Sequence, residues 1–233
     1  MHDRTNATVS MEQGESSGTT RRQVLAAGLA LALGGCASTR PNIPVPAWGG
    51  AAGRDDRRVD PRRPVTSGLM ARDRWAEGPP VPALMNTMAP ITYITIHHDG
   101  MTPFTRDDAE AARSRLERIR LGHRGRGWGD IGYHYAVDRA GTVWACRPIQ
   151  YQGAHVKHHN AGNVGILALG NLDVHPPTDA QVDGVRRQVA AIAQTYRVPE
   201  SRVRTHREWA PTICPGQYMQ SRINEVRMHG AFA

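Results

Sequence analysis

"APITYITIHHDG", residues 89–100, decides the fold. β-Branched and aromatic residues fill its middle, and it stops at Asp99-Gly100, a turn pair. That composition reads as a mostly buried strand. Outward from it, "TRDDAEAARSRLERIRLGH" (105–123) predicts a surface helix with few apolar residues. Thr105 is the expected N-cap, with Asp107 and Asp108 in the first turn, where negative charge suits the helix dipole. "IGYHYAVDRAGTVWACRP" (131–148) reads as a hairpin turning at Asp138-Arg139-Ala140-Gly141. "NVGILALGN" (163–171) is a second buried strand. "TDAQVDGVRRQVAAIAQTYRV" (178–198) is the clearest helix. Thr178 caps it, and Val182, Val185, Val189, Ile192, Ala193 and Tyr196 recur at helical spacing. Residues 221–229 predict a last short helix. This order predicts an α/β domain over 89–233, a central mixed β-sheet flanked by helices.

The chain has 233 residues, 39% of them apolar, and a formal net charge of +8. That length suits one domain plus an extension. The positive charge suits an anionic partner such as nucleic acid, anionic lipid or a cell-wall polymer. No basic run is interleaved with aromatics and no zinc-finger spacing occurs, so no nucleic acid partner is expected. The three cysteines, Cys36, Cys146 and Cys214, are an odd number and argue against a disulfide framework.

"TTRRQVLAAGLALALGGCAST" (19–39) reads as an export signal. Arg21 and Arg22 precede an apolar stretch from Val24 to Leu33, too short to span a membrane comfortably. The Arg pair resembles a twin-arginine signal; a general secretory signal carrying two arginines is the competing reading. Leu33-Gly34-Gly35-Cys36 resembles a bacterial lipobox, with Cys36 as the lipidated residue. Residues 1–36 are then signal and lipobox, implying a periplasmic protein with a lipid anchor. Ala37 takes the place of the aspartate that often retains lipoproteins in the inner membrane, so the outer membrane is the expected destination. A soluble exported protein is the alternative. Residues 37–88 are rich in Pro, Gly and Arg without helical or strand period, and predict a tether. Trp75 is a candidate contact with the domain.

"THREWAPTICPG" (205–216) places His206 and Cys214 eight residues apart, close enough to converge if the segment loops back. A hydrolytic zinc site usually has three protein ligands and an open position. The strand ending in His97-His98 offers the third.

"ITIHH", "GWGDIGYHYAVDRAGTV", "GAHVKHHNAGNVGILALGN" and "THREWAPTICPG" occur in that order over roughly residues 89–220. Together they resemble the zinc N-acetylmuramoyl-L-alanine amidase family, which includes peptidoglycan recognition proteins and amidase-type phage lysozymes. The resemblance implies a mixed sheet flanked by helices, a Zn²⁺ cofactor and cleavage of the amide between N-acetylmuramic acid and L-alanine. It implies His97, His206 and Cys214 as the metal ligands. His98 would then face the other side of the strand.

Recognition proteins that only bind peptidoglycan commonly lack the cysteine, so Cys214 argues for an enzyme. Tyr133 matches the family's catalytic tyrosine. Its expected task is to orient or deprotonate the attacking water, or to stabilise the charged intermediate. Thr212 takes a place held by lysine or threonine in the family and could donate to an oxyanion. His155 and Asn160 match positions lining the groove beside the metal, implying muropeptide contacts; a structural loop role is the alternative. Trp209 is expected to pack and fix the ligand loop, Lys157, His158 and His159 to be solvated, and Cys146 to have no role. The expected function is a lipid-anchored zinc amidase. The competing readings are a non-catalytic peptidoglycan-binding module of the same fold and a zinc hydrolase acting on another acyl-amino amide.

Overall fold

The computed structural model describes residues 68–230 and Phe232. Six strands form one mixed sheet with three helices. The strands are β1 (Leu69–Met70), β2 (Tyr93–His98), β3 (Tyr135–Val137), β4 (Val143–Ala145), β5 (Asn163–Ala168) and β6 (Val203–Thr205). The helices are α1 (Ala109–Arg124), α2 (Asp179–Tyr196) and α3 (Gln217–Met228). The sheet order is β1-β4-β3-β5-β2-β6, and only the β3–β4 hairpin is antiparallel. None of the described helices is long and apolar enough to cross a membrane.

The centre is the parallel pair β2 and β5, matched from Tyr93↔Asn163 to His98↔Ala168. Both strands are covered on both faces, which is why they read as apolar runs. The period of two divides them. Ile94, Ile96, Val164 and Ile166 join Val185, Val189 and Ile192 of α2 and Met219 and Ile223 of α3 in one core layer. Leu167 belongs to the opposite layer, with Ala112, Leu116 and Ile119 of α1. Full burial of each α2 aliphatic contributes about 1.5–3 kcal/mol. Thr178 caps α2 as its sequence predicts, accepting from Gln181 N at 3.0 Å.

Three boundaries differ from the sequence reading. The cap of α1 is Asp108 rather than Thr105. Its carboxylate accepts from Ala111 N at 2.8 Å, three residues on, which fixes the first turn there. α3 begins at Gln217 rather than 221. Gly216, at φ +87°, packs so tightly on the backbone of Leu172 that an added Cβ would lie 2.2 Å from its carbonyl carbon, and this contact sets the helix start.

The third difference is the tether. Residues 68–88 are folded onto the domain, so the domain begins before residue 89. β1 extends the sheet beside β4. Trp75 is buried, and its Nε1 donates to Ala145 O at 2.7 Å. Arg72 donates twice to the buried carboxylate of Asp130, at 3.0 and 2.9 Å. A two-residue strand joined to single-residue anchors leaves no periodicity to read. The export signal, Cys36 and residues 37–67 lie outside the described residues.

Candidate metal centre

Parallel pairing of β6 with β2 (Ile96↔Thr205) brings the C-terminal ends of the two strands together. His97, fully buried, is near the end of β2, and His206 opens the short turn after β6. Their ring centroids lie 4.7 Å apart. The loop then returns. Arg207 N donates to Cys214 O at 3.0 Å and the Arg207 guanidinium caps Ile213 O at 2.5 Å. This closes the eight-residue spacing and delivers Cys214 Sγ to 3.6 Å from His97 Nδ1. One ligand atom from each of His97, His206 and Cys214 lies within 4.8 Å of the others. Ligands on a tetrahedral zinc stand about 3.3–3.8 Å apart by its bond lengths, so modest closure completes the site. His98 turns the other way, accepting from Leu172 N at 3.1 Å through Nδ1.

The electrostatics suit a cation. Burial, then the neighbouring imidazoles of His155 and His206, hold His97 well below its usual range. Burial also lowers His206. Both rings are therefore neutral near pH 7, with lone pairs to offer. Burial pushes the Cys214 thiol up to about 12, partly countered by His98 N donating to Sγ at 3.4 Å. A thiolate there needs a positive charge beside it. Two neutral imidazoles and a thiol that ionises only against a cation form a donor set that fits zinc.

Tyr133 lies beside this cluster, its ring centroid 5.2 Å from that of His97. Burial raises its phenol above the ordinary value, so the hydroxyl stays protonated and has a proton to donate. Thr212 Oγ1 accepts from Cys214 N at 3.2 Å, shaping the ligand loop. Trp209 fixes that loop as its position suggested. Its Nε1 donates to Thr95 Oγ1 at 2.9 Å, and its ring meets Tyr93 edge-on at 5.0 Å.

The two expected muropeptide contacts are engaged within the protein. His155 is buried, with Nδ1 3.1 Å from His97 Nε2 and Nε2 3.1 Å from Asn163 O. Asn160 Oδ1 accepts from the backbone of His155 and Val156, both at 2.9 Å. These bonds give Asn160 a structural part in the loop. Lys157, His158 and His159 are exposed. Cys146 is buried in the layer facing α1, and burial raises its thiol well above the ordinary range. Sequence reasoning missed Asp99. Its carboxylate accepts from Arg115 at 3.0 and 2.7 Å, from Gly170 N at 2.8 Å and from Met101 N at 2.9 Å, which locks the turn after the histidines. An aspartate directly after the His-His pair was the available signal.

A His/His/Cys donor set at the strand ends of a mixed sheet suits a metal-dependent hydrolase, and comparison with known proteins places the chain in such a family. The N-acetylmuramoyl-L-alanine amidase family, Amidase_2, matches residues 87–217, and the chain belongs to it. Peptidoglycan-recognition protein LB of Drosophila melanogaster is 26% identical over 161 residues, covering 69% of each chain. The endolysin of Escherichia phage T7 is 32% identical over 105 residues, 43% of this chain and 68% of the endolysin. The N-acetylmuramoyl-L-alanine amidase of Sus scrofa is 30% identical over 150 residues, 62% of this chain but 25% of the pig protein. The solved structure of Drosophila recognition protein LB superposes with a TM-score of 0.60 at 26% identity, over 68% of this chain and 94% of that one. Amidase LysC of Clostridium intestinale shares the fold at 22% identity, with a TM-score of 0.54 over 68% and 99% of the chains.

Proposed function

We propose that this protein is a zinc-dependent N-acetylmuramoyl-L-alanine amidase acting on peptidoglycan or muropeptides. The observation that carries the reading is the convergence of His97, His206 and Cys214 in a buried, cation-hungry cluster next to a protonated tyrosine. Bound zinc would supply Lewis acidity, polarising the scissile carbonyl and acidifying water. His97, His206 and Cys214 would hold and orient the ion. Tyr133 presents its hydroxyl proton to the oxygen on which negative charge develops, rather than serving as a base. Thr212 keeps the Cys214 loop in shape and has its own hydroxyl proton to offer the same oxygen. Membership of a family with named amidases and endolysins supports the reaction class.

The setting is proposed from sequence alone: export by the twin-arginine route, lipidation at Cys36 and residence in the periplasm at the outer membrane. The non-catalytic alternative draws on the recognition proteins among the relatives. The two readings separate when the full chain is incubated with purified sacculi and the soluble fraction is analysed by mass spectrometry. Stem peptides beginning with L-alanine are expected. Protein that pellets with the sacculi and releases nothing would make it a binding module.

A further inference from the structure

The ring of His155 is held from all sides. Gly153 and Gly165 lie flat against it: an added Cβ would sit 2.4 Å from its Cδ2 at the first position and 2.6 Å at the second. At one end its Nε2 meets Asn163 O at 3.1 Å. At the other its Nδ1 meets His97 Nε2 at 3.1 Å. Asn163 is itself pinned, accepting from Thr95 Oγ1 at 2.9 Å and donating through Nδ2 to His159 O at 2.9 Å. Thr95 in turn accepts from Trp209 on the His206 loop.

The proton positions along this chain follow from what each atom can do. A carbonyl oxygen only accepts, so His155 Nε2 carries a proton. Neutral His155 then has a lone pair on Nδ1, which must accept from His97 Nε2–H. A neutral His97 with its proton on Nε2 keeps a lone pair on Nδ1. That is the nitrogen facing Cys214 Sγ at 3.6 Å. The reverse arrangement puts the His97 proton on Nδ1 and leaves no lone pair toward the cysteine.

We infer that His155 is a positioning residue: through Asn163 O it fixes the tautomer and ring orientation of His97 so that Nδ1 is presented to the metal. This rests on the reading of His97, His206 and Cys214 as the ligands, and it replaces a substrate-contact role for His155. An outer partner of this kind typically changes metal affinity roughly 10–100-fold.

The test uses the full chain. Long-range ¹H–¹⁵N spectra of the metal-free wild type report each imidazole proton. Protons on Nε2 of both His97 and His155 are expected; a proton on Nδ1 of His97 would overturn the inference without any variant. Zinc affinity is then measured by competition with a chromophoric chelator. His155→Ala is expected to weaken it roughly 10–100-fold. His155→Asn places an amide oxygen where Nδ1 was, can still accept from His97, and is expected to restore most of that loss. His155→Ala equal to wild type, or His155→Asn as weak as His155→Ala, would refute the role. Should His155→Ala not fold, the His97 proton in His155→Asn decides: retained on Nε2 it supports the relay, moved to Nδ1 it overturns it. Wild type with the expected protons but no zinc affinity would instead refute the metal reading and leave the relay standing.

Discussion

Mild acid should destabilise the metal-free protein strongly, through its buried histidines. Burial lowers His123 to about 4, His134 to about 4 and His155 to about 3. In two of these histidines one ring nitrogen accepts from a backbone N–H, a bond that a second proton would break. His134 accepts from Gly165 N at 3.0 Å and meets Tyr151 O at 3.0 Å, while His123 accepts from Gly132 N at 2.9 Å. In the unfolded chain each titrates near 6.5, so below that pH the unfolded state binds more protons and the folded state loses ground. The contribution is fully present above pH 6.5 and falls away as pH drops toward the folded values. Between pH 7 and 5 each histidine costs about 2 kcal/mol of stability, or roughly 5 kcal/mol for the three. That is a large part of the usual 5–15 kcal/mol for a domain. His97, His98 and His206 are also lowered and add in the same direction. The assay is urea unfolding with chelator present, followed by tryptophan fluorescence at pH 7 and pH 5. With a slope of about 2 kcal/mol/M, the midpoint should fall by roughly 2–3 M. A midpoint that moves by less than about 0.5 M would refute neutral burial of these rings.

Three substitutions follow from the same structure. Arg72→Ala strands the Asp130 carboxylate, whose side chain is fully buried, and should destabilise by about 3–5 kcal/mol in urea unfolding. An unchanged midpoint would show that residues 68–88 are not anchored to the domain. Tyr133→Phe removes one hydroxyl beside His97 and should lower kcat about 10²–10³-fold, as loss of an oxyanion donor does, with zinc affinity unaltered. Equal losses in both would make it a scaffold residue. Cys214→Ala removes the thiolate from the proposed site and should weaken zinc binding by about 3–5 kcal/mol, read by chelator competition. Wild-type affinity in that variant would exclude Cys214 as a ligand.

β2 and β5 were legible as β-branched and apolar runs bounded by turn residues, and α2 because its buried face repeats at helical spacing. Ile94 and Ile96 alternate with Thr95 and His97 along β2, and the aliphatics of α2 repeat at helical spacing behind the Thr178 cap. His97, His206 and Cys214 were legible because their motifs resemble a family whose fold joins them. What stayed hidden depends on contacts distant in sequence. The Arg72–Asp130 pair spans 58 positions, and β1 is two residues long. His155 has the residue type of a groove contact, and only the glycine slot and the two partners of its ring show that it faces inward. Asn160 and Thr212 are similar: short polar side chains in loops bond the nearby backbone as readily as a ligand.

The most direct test of the central claim is a zinc titration of peptidoglycan cleavage. The full chain is stripped with chelator, zinc is added back in steps, and release of stem peptides beginning with L-alanine from sacculi is measured. No release is expected from the stripped protein, then a linear rise to a plateau at about one zinc per chain, the stoichiometry of a single three-ligand site. Full release by the stripped protein, or none at any zinc level, would contradict it.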